Sequence, residues 1–147
     1  MHSPGVLLFV YGTLQTGSEH PNGALLRENA ELLGRGRIQA RLYIINDPDD
    51  PGQNFYPGAV PSAKSCDKVF GEVYRITKPE IVFPVLDDYE ACSENWPEPH
   101  EFIQRKLLVS LDDGTAVTAL SYMYSWDVSS AEHVVSGRYE RLAANVR

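Results

Sequence analysis

Cysteine is scarce in this sequence. Only Cys66 and Cys92 occur among its 147 residues, too few for a disulfide framework, and neither belongs to a zinc-binding pattern. The four histidines also lack the spacing of metal ligands. At this length a domain buries roughly 68–70% of the surface of its unfolded chain, so it needs no covalent or metal cross-link. We therefore expect one domain over residues 1–147 and no metal site.

Positive charge is also in the minority. The chain has 13 Lys and Arg residues against 20 Asp and Glu residues, with a formal net charge of -7. Proteins that bind nucleic acids usually present a basic stripe to the phosphates. The densest basic stretch, residues 27–41, places Arg35, Arg37 and Arg41 at alternating positions, which is typical of one solvated face of a strand. The composition therefore argues against a nucleic-acid partner.

The sequence lacks an apolar run long enough to cross a membrane. The run at residues 6–10 is far shorter than the roughly 20 residues that a transmembrane helix needs. It also lacks the basic segment and the small-residue cleavage site of a signal peptide. We expect no membrane partner and a cytoplasmic location, while the oligomeric state stays open.

The hydrophobic pattern predicts an α+β domain. Residues 6–11 are continuously apolar, which suits a strand buried on both faces. The pair Asp113-Gly114 between two β-rich runs predicts a hairpin. We expect about five or six strands and two or three helices, with mainly antiparallel pairing and closure into a small barrel. The predicted elements are strands at 6–11, 35–46, 69–76, 102–111 and 115–126, a helix at 24–33 ending before Gly34, and a surface loop at 47–58.

A second helix is predicted after residue 78. Thr77-Lys78-Pro79-Glu80 has the spacing of a capping box, with proline near the first helical position. Residues 81–89 then carry apolar side chains at helical intervals. Pro84 lies inside this segment and is a point at which it could divide into two short helices.

Glu90 is the candidate catalytic residue on this segment. A helical projection places it between Leu86 and Phe83, at the edge of the apolar stripe, with Asp87 and Asp88 on the other face. Partial burial, the helix C-terminus and the charge of Asp87 would all raise its pKa toward the range useful for proton transfer. Spacing alone leaves an alternative open, in which Glu90 belongs to an exposed acidic region.

Tyr11-Gly12-Thr13-Leu14 is a candidate binding loop at the end of the first strand. Backbone N–H groups at a glycine turn can hold an anion, and a missing side chain lets a ligand approach closely. The loop is neither a P-loop nor a dinucleotide fingerprint. An ordinary strand-ending turn is the alternative interpretation.

Taken in order, several short segments resemble the gamma-glutamylcyclotransferase-like (AIG2-like) family. They are Tyr11-Gly12-Thr13-Leu14, Tyr56-Pro57-Gly58, Val69-Phe70-Gly71-Glu72-Val73-Tyr74 and Leu86-Asp87-Asp88-Tyr89-Glu90-Ala91. The similarity spans nearly the whole chain. Ala91 stands where the family usually has glycine, and the segment 92–100 is an insertion, rich in proline and acidic residues.

The resemblance implies a mixed, mainly antiparallel β-barrel with flanking helices and a cavity where the first loop meets Glu90. It implies cleavage of a small gamma-glutamyl amide to 5-oxoproline and an amine or amino acid, without a metal or an organic cofactor. Glu90 would be the general acid and base. Tyr11, Gly12, Thr13 and Leu14 would hold the glutamyl moiety.

Tyr122 completes the predicted site. Tyr122 and Tyr124 alternate with Met123 on a late strand, so the two tyrosines share a face, and the hydroxyl of either could line the pocket. Three rival interpretations remain. One is a non-catalytic small-molecule binding module on the same fold, and another is a Cys92 nucleophile activated by His100. The third is a related acyl-transfer activity, in which the same cavity removes a gamma-glutamyl protecting group from a biosynthetic intermediate.

Overall fold

Eight strands and two helices lie in the part of the chain that the structure, a computed structural model, describes: residues 6–12, 21–48, 52, 55–90, 93 and 96–139. The helices are α1 (Pro21–Glu28) and α2 (Pro79–Tyr89). The strands are β1 (Val6–Val10), β2 (Ala30–Ile38), β3 (Ala40–Asn46), β4 (Phe55–Pro61), β5 (Val69–Ile76), β6 (Phe102–Leu111), β7 (Ala116–Tyr124) and β8 (Glu132–Val134).

Five of these strands close into a barrel in the order β1-β5-β2-β6-β7. All pairs are antiparallel except β1 with β7, which run parallel where Leu8 meets Leu120. A second sheet contains β4, β3 and β8. The predicted α+β fold, a small and mainly antiparallel barrel with flanking helices, is therefore confirmed.

Strand β1 is buried on both faces, as its continuous apolar sequence predicts. Phe9 packs with Val73 and other strand residues in one buried cluster. Leu8 belongs to a second cluster, together with Leu26 of α1 and Leu86 of α2. Successive residues of β1 thus belong alternately to the cluster of Phe9 and to the cluster of Leu8 beneath the helices.

The first helix is shorter than its hydrophobic spacing predicts. It ends at Glu28, and Leu32 and Leu33 belong to β2. Strand β2 pairs with β5 along its whole length, with an irregular register between Leu32 and Gly34. The predicted helix at 24–33 is therefore wrong after residue 28, because long-range strand pairing overrides local helical spacing.

The predicted strand at 35–46 is two strands in two sheets. Gln39 separates them: β2 stays in the barrel and β3 enters the second sheet. The predicted loop at 47–58 also ends earlier than expected, because β4 begins at Phe55 and pairs with β3. Alternation correctly predicts extended chain at residues 35–46 but does not reveal where a strand changes partners. The Pro, Gly and Asp content that predicts the loop does not exclude a strand at its end.

The strand at 69–76, the hairpin of β6 and β7, and the second helix are confirmed. Helix α2 runs continuously through Pro84, with Lys78 as its N-cap and Pro79 in its first turn. The capping box does not form, because the hydroxyl of Thr77 donates to the carbonyl of Asn29 instead (2.9 Å). Neither helix in the described ranges has the length and apolarity of a membrane span.

The hydroxyl of Tyr11 joins three strands at one end of the barrel. Tyr11 immediately follows β1 and is buried. Its hydroxyl donates to the carbonyl oxygen of Tyr122 in β7 (2.8 Å) and accepts the N–H of Ala59 in β4 (3.1 Å). The hydroxyl therefore connects the barrel to the second sheet.

Replacing Tyr11 with Phe should lower the free energy of unfolding by about 1–3 kcal/mol, because the buried Ala59 N–H and Tyr122 carbonyl each lose a partner. Urea denaturation of both proteins measures this difference. Tyr43→Phe is the matched control, since the hydroxyl of Tyr43 forms no hydrogen bond with the described residues and its removal should change stability little. Equal losses for the two variants would contradict the role assigned to Tyr11.

Candidate active site

A small cavity lies where the end of β1 meets the end of α2. Four of the predicted site residues line it, namely Tyr11, Gly12, Glu90 and Tyr122. Thr13 and Leu14 lie outside the described residues. The cavity volume is about 40 Å³, more than the roughly 10–15 Å³ that a single water needs. The other lining residues are Phe9, Val10, Tyr56, Pro57, Tyr89 and Phe102.

Aromatic rings form most of the cavity wall. The rings of Tyr56 and Phe102 have centroids 6.1 Å apart, and Phe102 meets Tyr124 edge to face at 5.3 Å. The hydroxyl of Tyr56 donates to the carboxylate of Glu101. Burial, followed by this hydrogen bond, raises the pKa of Tyr56. An aromatic wall with a small number of polar groups is typical of small-molecule sites.

Glu90 is the carboxylic acid among the described residues that line the cavity. It directly follows α2, and its backbone N–H continues the helical pattern by donating to the carbonyl of Leu86 (2.8 Å). Its side chain is half-buried. Burial raises the pKa of Tyr11, and the negative charge of Glu90 raises it further. Glu90 and Tyr11 line the same cavity, so a charge on Glu90 acts on the buried Tyr11 hydroxyl.

The helical projection places Asp87 on the outer face of α2, and the structure shows that this is wrong. Its carboxylate faces the barrel, where it accepts hydrogen bonds from the hydroxyl of Tyr122 (2.6 Å) and the amide of Gln104 (2.8 Å). Gln104 also donates to the Tyr122 hydroxyl (3.0 Å). The projection is wrong here because it counts only apolar contacts, whereas these polar groups of β6 and β7 bind the carboxylate. Asp88 is exposed, as predicted.

Gly12 lies against Pro57 of β4. A Cβ atom at position 12 would be 2.7 Å from Cγ of the proline ring, closer than unbonded carbon atoms approach. A residue with a side chain here would displace either the loop or the ring. Glycine is therefore required for the close packing of the first loop on the second sheet.

Three polar residues near this region were not predicted as site residues from the sequence. Asp87 and Gln104 fix the end of α2. Glu72 is 4% exposed, lies opposite Val10 in the β1–β5 ladder and accepts a hydrogen bond from the hydroxyl of Tyr74 (3.3 Å). The signal available for Glu72 is a carboxylate in a strand whose other charged residue is Arg75. Gln104 carries no local signal.

Cysteine chemistry and metal binding can be assessed only within the described residues. Cys92 lies outside them, so the proposed pair with His100 is not described. Cys66 is a free, exposed thiol. Within the described ranges, His, Cys, Asp and Glu form no group of three or more that could hold a metal ion.

Solved structures with the same fold share little sequence with this chain. An AIG2-like protein from Mus musculus matches with a TM-score of 0.70 and 21% identity, over 97% of this chain and 92% of the mouse chain. A gamma-glutamyl cyclotransferase matches with a TM-score of 0.61 and 19% identity, over 88% and 69% of the two chains. A protein specific to uropathogenic E. coli matches with a TM-score of 0.60 and 24% identity, over 92% and 93%. These identities establish the fold alone.

Sequence comparison assigns the family. No curated protein sequence matched the chain. The family of gamma-glutamyl cyclotransferase, AIG2-like proteins matches residues 8–141, which is most of the sequence. This match agrees with the order of short segments from residue 11 to residue 91 and with the barrel described above. The chain belongs to the gamma-glutamyl cyclotransferase, AIG2-like family.

Proposed function

We propose that this protein cleaves a gamma-glutamyl amide by cyclisation, releasing 5-oxoproline and an amine or amino acid, with Glu90 as general acid and base. One observation carries the proposal. The half-buried carboxylate of Glu90 and the glycine turn at Gly12 line the same small aromatic cavity. Membership of the gamma-glutamyl cyclotransferase, AIG2-like family supports the same reaction class.

The reaction needs one proton acceptor that later becomes a donor. The α-ammonium group of the substrate loses a proton to Glu90, and the free amine attacks the γ-carbonyl carbon. A new C–N bond closes the five-membered ring, and the original amide C–N bond breaks as Glu90 gives this proton to the leaving nitrogen. The second proton of the attacking nitrogen passes through the regenerated carboxylate to the released amine, so the products are the neutral lactam and an ammonium group. Because the attack is intramolecular, holding the glutamyl chain folded supplies much of the acceleration.

The first loop and Tyr122 are the proposed binding elements. Backbone N–H groups of residues 11–14 would hold the glutamyl moiety, with Gly12 allowing a close approach. The hydroxyl of Tyr11 is already bonded to Tyr122 and Ala59, so Tyr11 would act through its backbone and ring. Tyr122 would contribute its ring to the wall while its hydroxyl holds Asp87. This mechanism uses no metal and no organic cofactor.

The central test is a screen of gamma-glutamyl amides for release of 5-oxoproline, with wild type and Glu90→Gln side by side. The panel includes glutathione, gamma-glutamyl amino acids, a gamma-glutamyl-lysine isopeptide and gamma-glutamyl amines. For any amide that the wild type cleaves, Glu90→Gln should lower kcat/KM by about 10²–10⁴-fold, because the amide side chain cannot exchange the proton.

Glu80→Gln is the matched control for this substitution. Glu80 is exposed at the opposite end of the same helix, so its variant should keep wild-type activity. Equal rates for wild type and Glu90→Gln would remove Glu90 from the mechanism. Saturable binding of the amides without any release would favour the alternative, a non-catalytic binding module on this fold.

Gly12→Ala should lower 5-oxoproline release, because the new methyl group would contact the ring of Pro57 and displace the loop. Adding Pro57→Ala removes the ring atom that lies 2.7 Å away, and the remaining Cβ atom at 3.9 Å is an ordinary contact. The double variant should therefore recover part of the lost kcat/KM. A double variant no more active than Gly12→Ala would show that the clash with Pro57 is not the cause.

Tyr122→Phe should lower kcat more than it raises KM, because the hydroxyl that holds Asp87 beside Glu90 is lost. We expect a decrease on the order of tenfold, since small displacements of a catalytic group are costly. Steady-state kinetics measures the two constants. Tyr124→Phe, on the same face of β7 but not bonded to α2 through a described contact, is the control and should have little effect. Similar kinetics for both variants would contradict the positioning role.

A further inference from the structure

A second cavity opens where the barrel wall divides. Strand β6 pairs with β7 along its length, from Phe102 to Ser110, but pairs with β2 only at Gly36–Leu111 and Arg37–Ser110. Beyond Arg37 the two strands separate and leave a cavity of about 360 Å³. This volume lies within the roughly 300–1,000 Å³ range of small-molecule sites. The cavity shares no lining residue with the site that contains Glu90.

Two cations flank this second cavity. Arg37 and Lys68 line it, and neither forms an ion pair with a residue in the described ranges. Asp67 precedes Lys68, but its carboxylate accepts a hydrogen bond from Ser62 (2.6 Å) and lies 3.7 Å from Arg41. In a chain whose formal net charge is -7, two uncompensated cations at one cavity produce a local positive field.

A third cation adds to this field. Arg138 lies over the ring of Phe70, with its guanidinium carbon 3.9 Å from the ring centroid. Phe70 is directly opposite Arg37 in the ladder of β5 and β2, and opposite residues of paired strands project to the same face. Arg37 and the Arg138–Phe70 pair are therefore neighbours on one face of the barrel.

The remaining walls of the cavity are apolar or uncharged. Ile38, Leu107 and Leu108 supply aliphatic surface, and Leu108 is 66% exposed. Ser65 and Ser110 supply hydroxyl groups. A ligand that covers Leu108 would remove apolar surface from water, which favours binding by about 25 cal/mol per Å² before the costs of association.

We propose that this second cavity binds a small organic anion, with one carboxylate or phosphate group and an apolar body the size of a short acyl chain or a single aromatic ring. The anionic group binds Arg37 and Lys68, where the planar guanidinium of Arg37 offers a two-pronged hydrogen bond. The apolar body lies against Leu107 and Leu108. This site is independent of the chemistry at Glu90.

Binding is tested by titrating the protein with hexanoate and with phenyl phosphate, followed by backbone amide NMR shifts. Hexanamide is the neutral counterpart of hexanoate, and inorganic phosphate is the headgroup without an apolar body. We expect saturable shifts at residues 37–39, 65–68 and 107–110 with hexanoate, phenyl phosphate or both, and at least tenfold weaker binding of the two comparison compounds. The stronger of the two organic anions identifies the preferred combination of headgroup and apolar body.

Variants complete the test. Arg37→Gln with Lys68→Gln should weaken binding at least tenfold, whereas Arg105→Gln, on the exposed part of β6 outside the cavity, should leave it unchanged. The proposal is overturned if hexanamide binds as tightly as hexanoate, if the double variant binds as wild type does, if the shifts lie elsewhere, or if neither organic anion binds saturably.

Discussion

Tyr122 holds the two halves of the candidate active site together. Its backbone carbonyl accepts the hydrogen bond from Tyr11 at the end of β1, and its hydroxyl donates to Asp87 in the last turn of α2. The first bond fixes the residue that precedes Gly12, and the second fixes the turn that precedes Glu90. Because the loop and the helix are far apart in sequence, their meeting depends on this one residue of β7 and on the barrel that positions it.

Both halves are also supported by packing. Val82 and Leu86 bury the inner side of α2 against β1 and β5, and Pro57 lies against Gly12 from the second sheet. Apolar packing sets the distance of the helix from the barrel but leaves its rotation less defined. The bonds from Tyr122 and Gln104 to Asp87 specify that rotation, and Glu90 follows three residues later. The carboxylate proposed as the general acid and base is therefore positioned by the barrel and not by a free loop.

Sequence patterns predict the parts of this protein that depend on near neighbours. Periodicity and turn residues predict four features correctly: the burial of β1 on both faces, the extent of β5, the hairpin of β6 and β7, and a helix that ends next to Glu90. The errors share a different origin. Leu32 and Leu33 have helical spacing but lie in β2, which pairs with β5. The chain changes sheets at Gln39, and Asp87 binds side chains of β6 and β7. Each depends on a strand distant in sequence, which periodicity does not contain. For the same reason the alternation of Arg37 does not reveal the cavity beside it.

A structure of the protein with bound 5-oxoproline measures directly whether the end of α2 and the first loop form one site. We expect the lactam in the cavity between Gly12 and Tyr122, with its ring N–H within hydrogen-bond distance of a carboxylate oxygen of Glu90. The lactam bound elsewhere, or bound in this cavity with the Glu90 side chain directed into solvent, would contradict the placement of the reaction.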